Sequence, residues 1–259
     1  MYYSSGLENI VGSYSNNTYI HVSYFSRNID DNYDFKGENS ITHQPHYTRK
    51  AITVPYKNQQ KYFTTYPINH SFAPEIFLKQ SRPKASFIND DNEIRNIAEE
   101  TFELMMKEKL PSSISINILP FGGFQSLHSR FGAWSNGILG FSINGNDKKI
   151  FVRENNLDSL MLVIGHEIGH VLTETLPNKH DEEAKAFAFS IEWAKTIKGH
   201  NIAGLGLSIK DEIDFNPAKN GLHDIAFSFV SFIIKKGGKA MQLHDDLVKK
   251  YVSVFDKVY

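Results

Sequence analysis

The chain contains no cysteine among its 259 residues. This absence excludes a disulfide framework, a thiolate metal site and a cysteine nucleophile. Any metal site must therefore be built from histidine and carboxylate side chains. The chain has 11 histidines and 29 acidic residues that could supply such ligands.

The chain also lacks a strong charge of either sign. Its 28 basic and 29 acidic residues leave a formal charge of −1 at pH 7. No net field would attract nucleic acid or anionic lipid, so we expect neither as a partner. Apolar residues make up 41% and charged residues 22% of the chain, which is typical of a globular protein.

Long apolar runs are missing as well. Residues 1–6 lack the basic and then apolar pattern of a secretory signal, and no apolar run reaches membrane-spanning length. We therefore expect no membrane association and a cytoplasmic location.

Three regions follow one another along the chain. Residues 1–80 are rich in Tyr, Asn, Ser and Thr, and the alternating stretch 19–25 predicts a strand. The stretch 51–66 predicts a hairpin. Residues 81–200 mix helical and strand patterns, and residues 201–259 hold two apolar or amphipathic stretches that predict helices. We expect an α+β core between a β-rich N-terminal extension and a helical C-terminal region.

The core region has alternating strand and helix signals. Apolar spacing predicts helices over three stretches, residues 90–109, 157–172 and 181–198. Strands are predicted at residues 114–119, 138–143 and 149–153, with a hairpin turn at 144–147 and a glycine-rich loop at 121–124.

The predicted helix 157–172 carries an H-E-x-x-H motif formed by His166, Glu167 and His170. On a helix, the two histidines stack on one face about one turn apart and present two imidazoles to one ion. Glu167 is turned about 100° from His166, so it can act on a water beside the ion without binding the ion. This spacing is typical of a zinc site that hydrolyses peptide bonds.

The apolar surroundings of this motif strengthen the metal hypothesis. Nearly every side of the helix is apolar, so the motif is expected in the interior, where an unpaired carboxylate costs several kcal/mol. A cation would offset this cost. Gly165 and Gly169 are unusual within a helix, and they fit either close packing against a neighbouring strand or space for a substrate.

A tetrahedral catalytic zinc needs a third protein ligand. Four candidates follow the motif closely, namely His180, Asp181, Glu182 and Glu183. If Lys185, Glu192 and Thr196 mark the solvent face of the next helix, then Glu183 points away from solvent. Glu183 is the preferred ligand, and Glu182 remains the alternative.

The remaining candidates have simpler interpretations. Asp181 points outward on the same helix phase, and both Asp181 and Glu182 suit the first turn, where acidic groups complement the helix dipole. His180 is expected in a solvated turn.

The run over residues 157–197 resembles the gluzincin metallopeptidases and is most similar to the compact minigluzincin group. The resemblance rests on His-Glu-Ile-Gly-His followed by Asp-Glu-Glu-Ala-x-Ala-Phe-Ala, and it covers about residues 85–200. The metzincin pattern does not fit, because Thr173 and Leu176 stand where that class needs glycine and a third histidine.

The resemblance implies a zincin-like core and one zinc ion per chain, bound by His166, His170 and Glu183. It also implies that Glu167 is the general base, and it suggests His223 as the donor that stabilises the oxyanion. Thermolysin-like members place an aspartate, which supports a ligand histidine, where this chain has Phe187. The groups that support the ligands are therefore expected to differ.

The sequence thus predicts a zinc endopeptidase that acts on peptide or protein substrates. Such enzymes usually bind an extended peptide along a strand edge near the metal, here at 138–143 or 149–153. The N-terminal extension is a candidate pro-segment over the cleft. The alternatives are a non-proteolytic zinc-binding regulator and an interaction protein without metal. Substrate preference and oligomeric state do not follow from these motifs.

Overall fold

The structure is a computed structural model that describes residues 19–21, 74–213 and 222–255, the first of these as backbone only. The predicted hairpin at 51–66 lies outside the described residues. The strands are β1 (Tyr19–His21), β2 (Phe87–Ile88), β3 (Ile114–Leu119), β4 (Gly140–Asn144), β5 (Lys148–Arg153) and β6 (Asn155–Asn156). The α-helices are α1 (Asp91–Met106), α2 (Phe121–His128), α3 (Leu157–Val171), α4 (Lys179–His200), α5 (Leu222–Lys235) and α6 (Ala240–Val248).

The main sheet has four strands in the order β1-β4-β5-β3. Strand β4 pairs antiparallel with both β1 and β5, whereas β3 and β5 are parallel. The predicted turn joins β4 to β5, which pair from Gly140 opposite Val152 to Asn144 opposite Lys148. A separate antiparallel pair, β2 and β6, precedes α3.

Helix α3 lies at the centre of the described structure, and all of its residues are buried. It packs between the sheet and α4, while α1, α5 and α6 pack around α4. Side chains from β5 alternate between this core and a smaller aromatic cluster, with Ile150 and Val152 on one side and Phe151 on the other. The described residues form an α+β fold, as predicted. None of their helices is both long and apolar enough to cross a bilayer.

Helix α2 replaces the glycine-rich loop that the sequence predicted at 121–124, so that prediction was wrong. Two glycines within one turn cost about 1 kcal/mol each in a helix, which is why the pattern suggests a loop. Phe124, Leu127 and His128 are buried on one side of α2. This tertiary packing outweighs the local preference of Gly122 and Gly123.

Helices α3 and α4 approach closely at two glycines. A Cβ atom on Gly165 would overlap the indole of Trp193, and one on Gly169 would lie 2.9 Å from Cα of Ala186. The neighbour is a helix and not the strand that the sequence suggested. Because these glycines bring the backbones together, the motif on α3 comes within reach of the acidic first turn of α4.

Candidate metal centre

Three donor atoms converge between α3 and α4. The Nε2 atoms of His166 and His170 lie 3.2 Å apart. Oε2 of Glu183 lies 3.6 Å from the first and 4.0 Å from the second. A tetrahedral divalent ion with bonds of about 2.0–2.1 Å holds its ligand atoms about 3.3 Å apart. The triangle therefore has nearly the size that one ion requires.

The second nitrogen of each imidazole fixes its tautomer. Nδ1 of His170 lies 2.8 Å from Oε1 of Glu182 and donates to that carboxylate. Nδ1 of His166 lies 3.3 Å from Oγ of Ser190. The only proton of Ser190 is donated to the carbonyl of Ala186 at 2.7 Å, so Ser190 accepts from His166. Both Nε2 atoms consequently present lone pairs toward the same point.

This donor set fits a metal ion on chemical grounds. Two imidazole lone pairs and a carboxylate oxygen face one another, and all three side chains are buried. Such an arrangement is repulsive unless a cation or a proton lies between the donors. His166, His170 and Glu183 form a group that could hold a metal ion. The sequence predicted these three residues as ligands.

Glu182 is not simply an acid that complements the helix dipole. It does lie in the first turn of α4, as predicted, yet its side chain is 2% exposed. Besides His170, its carboxylate accepts from the backbone N–H of Leu176 at 2.7 Å and from Nζ of Lys185 at 2.9 Å. Glu182 therefore supports His170, one of the three residues that could hold a metal ion.

Lys185 contradicts the helix phase that the sequence suggested. It was expected on the solvent face, but its side chain is fully buried. Its ammonium donates to the carbonyls of His170 at 3.3 Å and Glu174 at 3.2 Å as well as to Glu182. Burial lowers the pKa of Lys185, and the neighbouring Glu182 opposes that shift. Other helices enclose the first half of α4, so Lys185 does not reach solvent.

Glu167, the predicted general base, is fully buried on α3 beside strand β4. A Cβ on Gly140 would lie 3.3 Å from both Cγ and Oε1 of Glu167 and would also overlap Val163. Gly140 thus leaves the space that the Glu167 side chain occupies. The sequence did not single out this glycine, whose only signal was its place inside the strand predicted at 138–143.

Asn144, at the other end of β4, was also missed. Its side-chain amide donates to the carbonyl of His170 at 3.1 Å and to the carbonyl of Thr173 at 2.7 Å. It also lies 3.2 Å from Oγ1 of Thr175. The sequence placed Asn144 in a hairpin turn. Its contacts instead fix the end of α3 to the sheet.

His223, at the start of α5, reaches the site. It is buried, and its Nε2 lies 3.1 Å from Oε2 of Glu183. Phe187 packs between the two regions, with its ring centroid 5.1 Å from that of His166 and 6.1 Å from that of His223. The position that holds aspartate in thermolysin-like enzymes is therefore an apolar wall here.

His180 and Asp181 lie at the start of α4 but bind elsewhere. Asp181 accepts from Oγ of Ser253 at 2.9 Å and from the backbone N–H of Val254 at 2.7 Å. The half-buried ring of His180 packs on Phe255 at a centroid distance of 4.6 Å. Both residues fasten α4 to the C-terminal segment, so His180 is not in the solvated turn that the sequence suggested.

Comparison with known proteins identifies no relative. No protein-family model matches the chain, and searches of curated proteins and of solved structures found no match.

Proposed function

We propose that this protein is a zinc-dependent endopeptidase with one zinc ion held by His166, His170 and Glu183 on a zincin-like core of gluzincin type. The observation that carries this proposal is the buried convergence of two imidazole Nε2 atoms and a carboxylate oxygen. Zinc bound in such a site supplies Lewis acidity and lowers the pKa of a bound water to about 7.

Glu167 is the general base in this proposal. It follows His166 directly on α3, so its carboxylate would be turned about 100° from that ligand and would act on the reacting water without binding the ion. It takes the proton from that water and passes it to the leaving amine. Its enclosure beside Gly140 removes it from bulk solvent, which favours proton transfer within the site.

His223 is assigned the role of oxyanion donor. The tetrahedral species formed on the peptide carbonyl carries negative charge that a positioned N–H stabilises. Nε2 of His223 already lies beside the ligand carboxylate at 3.1 Å. In this proposal its N–H would donate to the substrate oxygen.

Strand β4 is the proposed docking edge for an extended peptide. It borders the site through Gly140 at one end and Asn144 at the other. An antiparallel peptide would add to its outer edge by backbone hydrogen bonds. That edge is paired with β1, with Ile20 opposite Ile143. In this proposal residues 19–21 take the place of a substrate. This pairing supports a zymogen in which the N-terminal extension blocks the cleft.

The decisive experiment compares wild type with Glu167→Gln on a mixed peptide library. We expect cleavage by wild type, about 100-fold or greater loss in Glu167→Gln, and equal zinc content in both. Glu108→Gln changes an exposed carboxylate on another part of the surface and should match wild type. The same assay in an Ile20→Pro background prevents β1 from hiding the activity.

Two outcomes would replace the proposal. Zinc uptake without cleavage in either background would favour a non-proteolytic zinc-binding regulator. Absence of zinc from gently purified protein, with none taken up on addition, would favour an interaction protein without metal.

A further inference from the structure

A closed ring of hydrogen bonds links His170, Glu182 and Lys185. The imidazole Nδ1 of His170 donates to Oε1 of Glu182 at 2.8 Å. The other oxygen of Glu182 accepts from Nζ of Lys185 at 2.9 Å, and the same ammonium donates to the backbone carbonyl of His170 at 3.3 Å. The ring therefore begins and ends on one residue, passing from its side chain to its main chain.

The chemistry of Lys185 suits this position. An ammonium has three N–H donors and no acceptor. In this structure it has three acceptors, namely the carboxylate of Glu182 and the carbonyls of His170 and Glu174. The carbonyl of His170 belongs to the end of α3, and that of Glu174 belongs to the loop after it. Carbonyls at the end of a helix have no partner within the helix, and a cation is favourable there.

The carboxylate of Glu182 depends on this cation. Its side chain is 2% exposed, and that of Lys185 is 0% exposed. A buried carboxylate without a nearby cation costs free energy, because its charge is not compensated. One oxygen of Glu182 accepts from Nδ1 of His170 while the other accepts from Nζ of Lys185. Lys185 thus acts on the imidazole through Glu182.

We propose that Lys185 is a positioning residue for the metal ligand His170. Through its hydrogen bonds to Glu182 and to the carbonyl of His170 it fixes both ends of His170, so that Nε2 is directed to the ion. This inference rests on the proposed metal site. Groups that orient a ligand histidine raise its basicity, and their loss typically weakens metal binding about 10- to 100-fold.

The same helix supplies a matched control. Lys195 and Glu192 have the same three-residue spacing as Lys185 and Glu182, at a distance of 3.7 Å. Their side chains are 53% and 35% exposed, so their pairing is weak. Substituting Lys195 removes an equivalent charge from α4 without touching His170.

The test measures zinc affinity by competition with a chelator and the visible spectrum of the cobalt-loaded protein. Lys185→Met retains the length of the side chain but removes the charge. We expect it to bind zinc about 10- to 100-fold more weakly and to shift the cobalt bands, because His170 is no longer fixed. Lys195→Met should match wild type in both measurements.

A second variant decides the matter if Lys185→Met does not fold. In the double variant Glu182→Gln with Lys185→Met, no buried charge is left uncompensated, and the glutamine oxygen can still accept from Nδ1. Weaker zinc binding than in wild type, with altered cobalt bands, would support the role of the ring.

The outcomes separate this inference from the proposed function. If wild type binds zinc and a folded Lys185→Met or double variant binds it equally well with unchanged cobalt bands, Lys185 is not a positioning residue. If wild type binds neither ion, the metal site itself is wrong, and the role of Lys185 is rejected with it.

Discussion

Glu182 accepts a hydrogen bond from Nδ1 of His170, and the next residue, Glu183, directs its carboxylate toward the Nε2 atoms. Two consecutive acids therefore face one imidazole: Glu182 accepts from its Nδ1, and Glu183 lies beside its Nε2, where the proposed metal ion would bind. This is possible because the glycines of α3 let α4 approach closely, so that adjacent positions on α4 both face α3.

Zinc should stabilise the folded protein through Glu183. A ligand that binds only the folded state adds about 2.7 kcal/mol when its free concentration is 100 times the dissociation constant. Thermal unfolding of wild type should shift upward with zinc and return with chelator. Glu183→Gln should lose most of that shift, whereas Glu108→Gln should keep it. An equal shift in all three proteins would exclude Glu183 as a ligand.

Ile20→Pro should activate the peptidase. Proline removes a backbone donor and disfavours a paired strand, so the contact between β1 and β4 weakens. Weakening by about 1.4 kcal/mol would raise peptide turnover about tenfold. Ile20→Val keeps the backbone donor and a strand-forming side chain, so it should behave as wild type. Turnover that is unchanged or lower in the proline variant would reject inhibition by β1.

Gly165→Ala should destabilise the protein. The added methyl group would overlap the indole of Trp193, and overpacking of this kind costs about 1–3 kcal/mol. Gly199→Ala on α4 is the control, because nothing lies within 4 Å of the new Cβ. There, alanine should stabilise the helix by up to about 1 kcal/mol. Denaturant unfolding gives the free energy of unfolding of each variant. Similar free energies for the two variants would contradict the close approach of α3 and α4.

His128 should make the protein sensitive to mild acid. Its burial against Phe124 and Phe141 lowers its pKa to about 4, whereas an unfolded histidine has a pKa of about 6.5. The unfolded state therefore binds more protons between these values. The stabilisation is complete above the unfolded pKa and is lost as pH falls toward the folded pKa.

Measuring the free energy of unfolding at pH 7 and at pH 4.5 tests this prediction. The decrease between them should be smaller in His128→Phe than in wild type by about 2 kcal/mol. His200→Gln, which changes an exposed histidine at the end of α4, should leave the decrease unchanged. A decrease equal to wild type in His128→Phe would show that another group controls the loss of stability in acid.

Much of this fold could be predicted because its elements have strong local patterns. The apolar spacing of α1, α3 and α4 and the alternation in β3 depend only on which face each element buries. These features are local, so the sequence contains enough information to place them. Glu183 was chosen on a helix phase that the burial of Lys185 contradicts, whereas the donors His166 and His170 followed from helical spacing alone.

The residues that hold the site in place could not be predicted, because their roles depend on contacts between elements that are distant in the sequence. Lys185 looked like a surface residue, since charged side chains are rarely buried without a partner, and that partner was visible only once Glu182 was known to be buried. Asn144 and Gly140 looked like turn and strand residues. Their roles arise from the position of β4 beside α3, which no local pattern specifies.

The metal site is tested most directly by anomalous diffraction at the zinc edge from crystals of the zinc-loaded protein. The expected result is a single strong peak about 2.0–2.1 Å from Nε2 of His166 and of His170, with a carboxylate oxygen of Glu183 at a similar distance. No peak between these three side chains, or a peak on other residues, would contradict the site and the peptidase chemistry proposed for it.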